Sequence, residues 1–123
     1  MNTNDSNAMR LRILLPTDVL VDIPVRKVIA EAENGSFCLL PHHIDFVAAL
    51  TPGVLSYWTM ASEEEFAAVD EGILVKCAHE VFVSTYNAVR DSNLDHLEVL
   101  VRDRFLQLSE HDRRTRSALA RLE

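Results

Sequence analysis

Glycine is scarce: three residues in 123, at positions 35, 53 and 72. With so few, neither G-x-x-x-x-G-K-[ST] nor G-x-G-x-x-G can be written, which removes the phosphate-cradling loops of nucleotide enzymes. Cysteine is scarcer still. Cys38 and Cys77 stand alone, without the density of a disulfide scaffold, and read as two buried, reduced thiols. No apolar run approaches the roughly 18–20 residues that a membrane helix needs. The polar start, Met1 to Ala8, lacks the basic, apolar and small-residue regions of a signal peptide. Residues 1–8, ending in Ser6-Asn7-Ala8 before Met9, read as a tag remnant or a disordered N-terminus and take no part in the fold reading. A basic stripe is also missing. From Asn93 to Glu123 six acids balance six arginines, so the formal charge of −7 falls entirely on the residues before Asn93. An acidic body neutralises no phosphates, which argues against nucleic acid as a partner.

What is present is a β pattern that changes once. From Met9 to about Arg90 the dominant period is two. Leu11, Ile13 and Leu15 alternate with other residues until Pro16-Thr17-Asp18. Val25, Lys27 and Ile29 interleave with Arg26, Val28 and Ala30, as on an inner strand with both faces covered. Val54 to Met60, Phe66 to Asp70, Ile73 to Cys77 and Val81 to Tyr86 follow, separated by turn signals. Glu63-Glu64-Glu65 reads as a solvated turn, and Trp58 and Tyr57 as a core ring and its neighbour. Short strands without intervening helices indicate an antiparallel sandwich or barrel. Near Asp91 the spacing becomes helical, through Leu94, Leu97, Val101, Phe105 and Leu108, with Asn93 as a plausible N-cap. Ser109-Glu110-His111-Asp112 resembles a second helix start, which gives expected helices over 94–107 and 110–122. The domains expected are therefore a β body over residues 9–90 and a helical one over 91–123.

The stretch from Asn34 to Gly53 holds the only arrangement that could be read as chemistry. Asn34-Gly35 predicts a hairpin reversal with two consecutive residues at positive φ. Pro41 ends the strand that follows. His42, His43 and Asp45 sit just beyond, the most ligand-like cluster in the chain. A small metal- or ligand-binding sandwich using these three residues is one reading. The other is a structural corner shown to a partner. Adjacent histidines on an extended chain point to opposite sides, and no third and fourth ligand is evident nearby. No nucleophile elbow or cysteine-protease signature frames any candidate nucleophile either.

Taken in order, the motifs form a likeness. They are Gly35-Ser36-Phe37-Cys38-Leu39-Leu40-Pro41-His42-His43, then Ala49-Leu50-Thr51-Pro52-Gly53. Val69-Asp70-Glu71-Gly72-Ile73-Leu74-Val75, Val81-Phe82-Val83-Ser84-Thr85 and Ala88-Val89 follow, and a helical tail closes the series. The series resembles the epsilon subunit of F-type rotary ATP synthases over roughly residues 9–123. Asp45 to Leu50 and the short tail look more like the alternate, sodium-type branch. The resemblance implies a mainly β fold: a flattened antiparallel β-sandwich of two five-stranded sheets followed by a short C-terminal α-helical hairpin. It implies a non-catalytic rotor subunit of the central stalk, with no cofactor or metal. Such a subunit joins gamma to the membrane c-ring and couples proton or sodium passage to ATP synthesis or hydrolysis. Its implied place is the cytoplasmic face of the bacterial inner membrane, without insertion.

Carried over by residue, the Pro-x-His corner faces the ring, so Ser36, Pro41, His42 and His43 are expected there. Ser36 stands where the family is often acidic. Glu71 replaces one glycine of a Gly-Gly turn, which must then be built with Gly72 alone. Leu94-Asp95-His96-Leu97 matches half of a tail motif that binds ATP in some members, but Glu98-Val99 replaces its Arg-Ala. A carboxylate in place of a phosphate-binding cation reverses the charge logic, so no ATP binding is expected. Arg113, Arg114, Arg116 and Arg121 are expected to form a regulatory tail that reaches the alpha/beta head.

Overall fold

The computed structural model describes residues 7–105, of which nine strands and a helical segment make up most. The strands are β1 (Met9–Leu14), β2 (Val19–Ala32), β3 (Gly35–Leu39), β4 (Phe46–Leu50), β5 (Gly53–Thr59), β6 (Glu64–Val69), β7 (Gly72–Cys77), β8 (Glu80–Thr85) and β9 (Ala88–Asp91). Helix α1 (Leu94–Leu100) continues into a π-helical turn over Val101–Phe105.

Two five-stranded layers are made from nine strands because β2 serves in both. Its first half, Val19 to Val25, pairs with β1, and the layer continues through β8 and β7 to β4. Its second half pairs with β3 and β5, and that layer continues through β6 to β9. The change of layer falls at an irregularity between Val25 and Lys27, beside Pro24. A bulge bends a strand and increases its twist, and a proline is tolerated beside one. Buried Val25 is followed by exposed Arg26 and half-buried Lys27, and beyond this irregularity buried Val28 and Ala30 flank half-buried Ile29, in keeping with an inner strand.

One pairing departs from the antiparallel expectation: β1 and β8 run parallel. A parallel pair needs a long crossover, and here the whole chain between Leu14 and Glu80 supplies it. Between the layers lies a core that includes Leu11, Ile13, Val25, Val28, Leu39, Leu55, Tyr57, Leu74, Val81 and Val83, all with no measurable exposure. Of the two neighbouring rings, Tyr57 is the core residue. Trp58 points the other way, half-buried, with Lys27 Nζ 4.6 Å from its ring centre. Alternation along β5 separates them.

Three local expectations are corrected. The hairpin between β2 and β3 turns on Glu33-Asn34, with Ala32 opposite Gly35. Only Gly35, at φ 116°, enters the positive-φ region. The flexible residue is thus placed after the turn and not inside it. Glu64 and Glu65 belong to β6 instead of a free turn, and Glu65 accepts hydrogen bonds from Tyr57 Oη (3.3 Å) and Arg90 (3.0 Å). Both cysteines are exposed, Cys38 on β3 and Cys77 at the end of β7. In each strand the alternation assigns the inward positions to Phe37 and Leu39, or to Leu74 and Lys76.

At the helix start, Asn93 Oδ1 accepts from the backbone N–H of Asp95 and His96, as an N-cap does. Leu97, Val101 and Phe105 recur every fourth residue and pack on Ala68 of β6 with Val54, Phe66 and Leu100. In a helix of 3.6 residues per turn each such step would drift about 40° around the axis. The wider π turn takes up that drift and keeps the three side chains on the sheet. The second expected helix lies outside the described residues.

Candidate interaction surfaces

The corner around the two histidines is built by three segments. β3 ends at Leu39. Pro41 is buried beyond it and cannot extend the ladder, and the His43 amide donates to the Leu40 carbonyl at 2.9 Å, closing a turn. His42 is exposed and His43 half-buried. His43 Nδ1 lies 2.8 Å from the Ile44 carbonyl, which makes Nδ1 the protonated nitrogen, since a carbonyl only accepts. The imidazole also meets the Phe46 ring edge-on at 5.6 Å. The rim around it is apolar: Leu40 is half exposed and Ile44 is 78% exposed.

Ser36 is not part of that corner. It stands near the hairpin turn, opposite Glu31, with the rest of β3 between it and Pro41. Phe46 bridges the two places, its ring 5.1 Å from Phe37 and 5.6 Å from His43. Asp45 is drawn elsewhere. Its Oδ1 accepts from the Ala78 amide at 2.8 Å, in the turn between β7 and β8. Among the described residues no three His, Cys, Asp or Glu side chains come close enough to hold a metal ion, so the cluster His42, His43 and Asp45 gains no geometric support as a ligand set. Arg113, Arg114, Arg116 and Arg121 lie outside the described residues.

Sequence reasoning missed Lys76, the one buried cation among the described residues, at 1% exposure. Its ammonium donates to two carbonyls, His43 and Ala78, each at 2.6 Å. Strand parity could have found it, because Lys76 shares a face of β7 with the core residue Leu74.

A second surface is the outer face of the β4–β7–β8 side. Cross-strand pairs put Val47 beside Val75 and Ala49 beside Ile73, with Phe82 opposite Val75. Val47 is 67% exposed and Ile73 53%, although both sit in regular strands. Below Ile73 the face runs into an apolar cleft of about 500 Å³, lined by Leu14, Leu15, Pro16, Gly72, Ile73, Ser84, Thr85 and Tyr86, with Glu71 the only charged residue among the described lining. Gly72 is required there: a Cβ would meet the Ser84 carbonyl oxygen at 2.1 Å. The turn before it needs no second glycine, because Glu71 keeps a negative φ and its amide is capped by Asp70 Oδ1 at 2.7 Å.

Toward β1 the same face becomes charged. Arg10 and Arg12 share Asp22 (2.6 and 3.3 Å), Arg12 reaches Glu80 at 2.8 Å, and its guanidinium lies 5.5 Å from the Phe82 ring centre. The hydrogen bond from Arg10 holds the Asp22 carboxyl below the usual carboxylate range, with Arg12 adding to the effect. The hydrogen bond to Glu80 raises Arg12. On the opposite side of the body, burial raises the Tyr57 phenol, and the Asn93 backbone N–H lowers Asp91.

Residues 8–91 match the family described as "ATP synthase, Delta/Epsilon chain, beta-sandwich domain". The epsilon chain 2 of Paraburkholderia xenovorans is 35% identical over 98 residues, covering 78% of this chain and 70% of its own length. The chloroplastic epsilon chain of Pinus thunbergii is 31% identical over 96 residues, covering 73% and 65%. This chain thus spans about two thirds of these curated relatives. Among solved structures, a chain of the Euglena gracilis mitochondrial ATP synthase OSCP/F1/c-ring assembly superposes with a TM-score of 0.65 at 19% identity. That match covers 73% of this chain and 57% of the other, and it is a likeness of fold. The chain belongs to the epsilon-subunit family of F-type ATP synthases.

Proposed function

We propose that the chain is a rotor-stalk subunit of an F-type ATP synthase, a component of an ATP-driven complex with no catalytic residue of its own. It grips a gamma subunit and meets the membrane c-ring, and so couples proton or sodium translocation to ATP synthesis or hydrolysis. The observation that carries the reading is an open apolar sheet face, Val47, Ala49, Ile73, Val75 and Phe82, on a chain whose family is that of the epsilon subunits. A regular sheet left apolar on its outer side marks a protein interface. We assign this face to gamma, and the charged patch of Arg10, Arg12, Asp22 and Glu80 to its rim.

The Pro41-His42-His43 corner is assigned to the c-ring, with Leu40 and Ile44 as its apolar contacts. Ser36 then lies beside this contact and not at its centre. The seat assigned to the chain is peripheral to the membrane; no helix among the described residues is long and apolar enough to cross one. In a bacterial cell that seat is the cytoplasmic face of the inner membrane. Arg113, Arg114, Arg116 and Arg121 supply a cationic segment that docks on acidic surfaces of the alpha/beta head and slows rotation. No cofactor is assigned to the chain.

The test is reconstitution with gamma and ring from the same complex. A stable subcomplex with gamma, lost on Val47→Glu, supports the reading, and no association with gamma in any preparation overturns it. Removing residues 93–123 should raise ATP hydrolysis by the assembled enzyme. Unchanged hydrolysis would remove the braking role.

A further inference from the structure

Lys76 is buried to 1% exposure, opposite Phe46 on β4 and Val81 on β8, and no carboxylate among the described residues lies within ion-pair distance of it. Burying an ammonium is costly unless every proton finds a strong acceptor. A methionine in its place would fill similar volume without that cost, so packing alone does not call for a lysine here.

The side chain's two contacts suggest what does. Lys76 Nζ donates to the His43 carbonyl in the loop between β3 and β4, and to the Ala78 carbonyl in the turn between β7 and β8, each at 2.6 Å. Asp45, from the first loop, takes the Ala78 amide at 2.8 Å. Ala78 is thus held through both its N–H and its C=O, at φ 54°, a left-handed conformation that an alanine adopts only under constraint.

We propose that Lys76 and Asp45 form a clasp that fixes the histidine corner to the β7–β8 turn, and that this clasp positions the corner for docking on the c-ring. Lys76 is a positioning residue: it is too deeply buried to touch a partner and acts through the backbone of His43. Bonds to the charged ammonium are the stronger kind and hold that carbonyl in one place. The corner then meets the ring already ordered, which spares the entropy of ordering it on contact. The proposal rests on the assignment of the corner to the ring.

The experiment compares the wild type with Lys76→Met, Asp45→Ala (which removes the acceptor for the Ala78 amide) and the double variant Lys76→Met/Ala78→Gly. It measures binding to purified c-ring, binding to gamma, and amide exchange at His43 and Ala78. The clasp predicts faster exchange at both amides and about tenfold weaker ring binding in each single variant, with gamma binding unchanged. Thermal stability of Lys76→Met should change little, the two lost bonds being offset by the removed cost of burying the charge, so that stability and docking part company. Ala78→Gly removes the backbone strain but not the loose loop, and it should not restore ring binding. Ring binding retained by Lys76→Met, or restored by Ala78→Gly, overturns the positioning role. Wild type that binds gamma but not the ring overturns the ring assignment. In that case the exchange arm still decides whether the clasp exists, and unchanged exchange at Ala78 and His43 refutes it.

Discussion

The two outer faces of the sandwich are both partly apolar, and they are treated in opposite ways. On the β5–β6 side the chain covers the face itself: Leu97, Val101 and Phe105 lie on Ala68 between Val54 and Phe66. On the β4–β7 side nothing among the described residues covers Val47 or Ile73, and they remain more than half exposed. Burying such side chains is worth on the order of 2 kcal/mol each. On the proposed reading, that open face is the one kept for gamma. Within the described residues, one sheet face is closed by a helix and the other is left bare.

Charge on the open face should have the largest effect. Val47→Glu with Ile73→Glu should weaken gamma binding by about 100-fold or more, as isothermal titration would read it. The melting temperature should hardly move, because both positions already face water. On the covered face the order reverses. Leu97→Ala should cost about 2–3 kcal/mol, seen as faster amide exchange from Leu94 to Phe105, while gamma binding survives. Asn93→Ala, which removes the cap of the covering helix, should cost about 1 kcal/mol by the same readout.

Acid gives the smallest effect. Asp22, on the open face, and Asp91, beside the helix start, both have folded carboxyls below their unfolded values. Each contributes stability above the unfolded pKa of about 4 and loses it as pH falls through the lowered folded value. Asp22 is exposed and Asp91 only half-buried, so the loss should be slight, and Asp22→Asn should flatten the acid limb of a melting-temperature profile. Tyr57 has the opposite sign. Its raised phenol favours the folded state below the unfolded pKa of about 10, and that contribution fades as pH rises through the folded value.

Features carried by a residue's own backbone chemistry were legible in the sequence. Pro41 ends a strand, Asn93 starts a helix, and Leu97, Val101 and Phe105 mark one face of it. Features that depend on what lies across the fold were not. The parallel partner of β1 is some 70 residues away in the chain, beyond any local signal. β2 runs unbroken past Pro24 because a bulge and a change of layer coincide there. The cysteines look core-like by type, yet strand parity turns both outward. At the candidate site the histidines are conspicuous, but Lys76, which holds one of them through its carbonyl, looks in the sequence like any other residue of a strand. Asp45 looked like a ligand and is instead a backbone acceptor for Ala78. Motif order identified the family; the geometry separated Ser36 from the corner it was grouped with.

The most direct test of the account is side-chain footprinting of the full chain, alone and in complex with its gamma subunit. Hydroxyl-radical labelling of Val47, Ile73 and Phe82 should fall on complex formation, while labelling of Tyr86 at the end of the cleft falls less and that of Trp58 on the opposite face stays constant. Undiminished labelling of Val47 and Ile73 in a stable gamma complex would contradict the claim that the open sheet face is the one gamma covers.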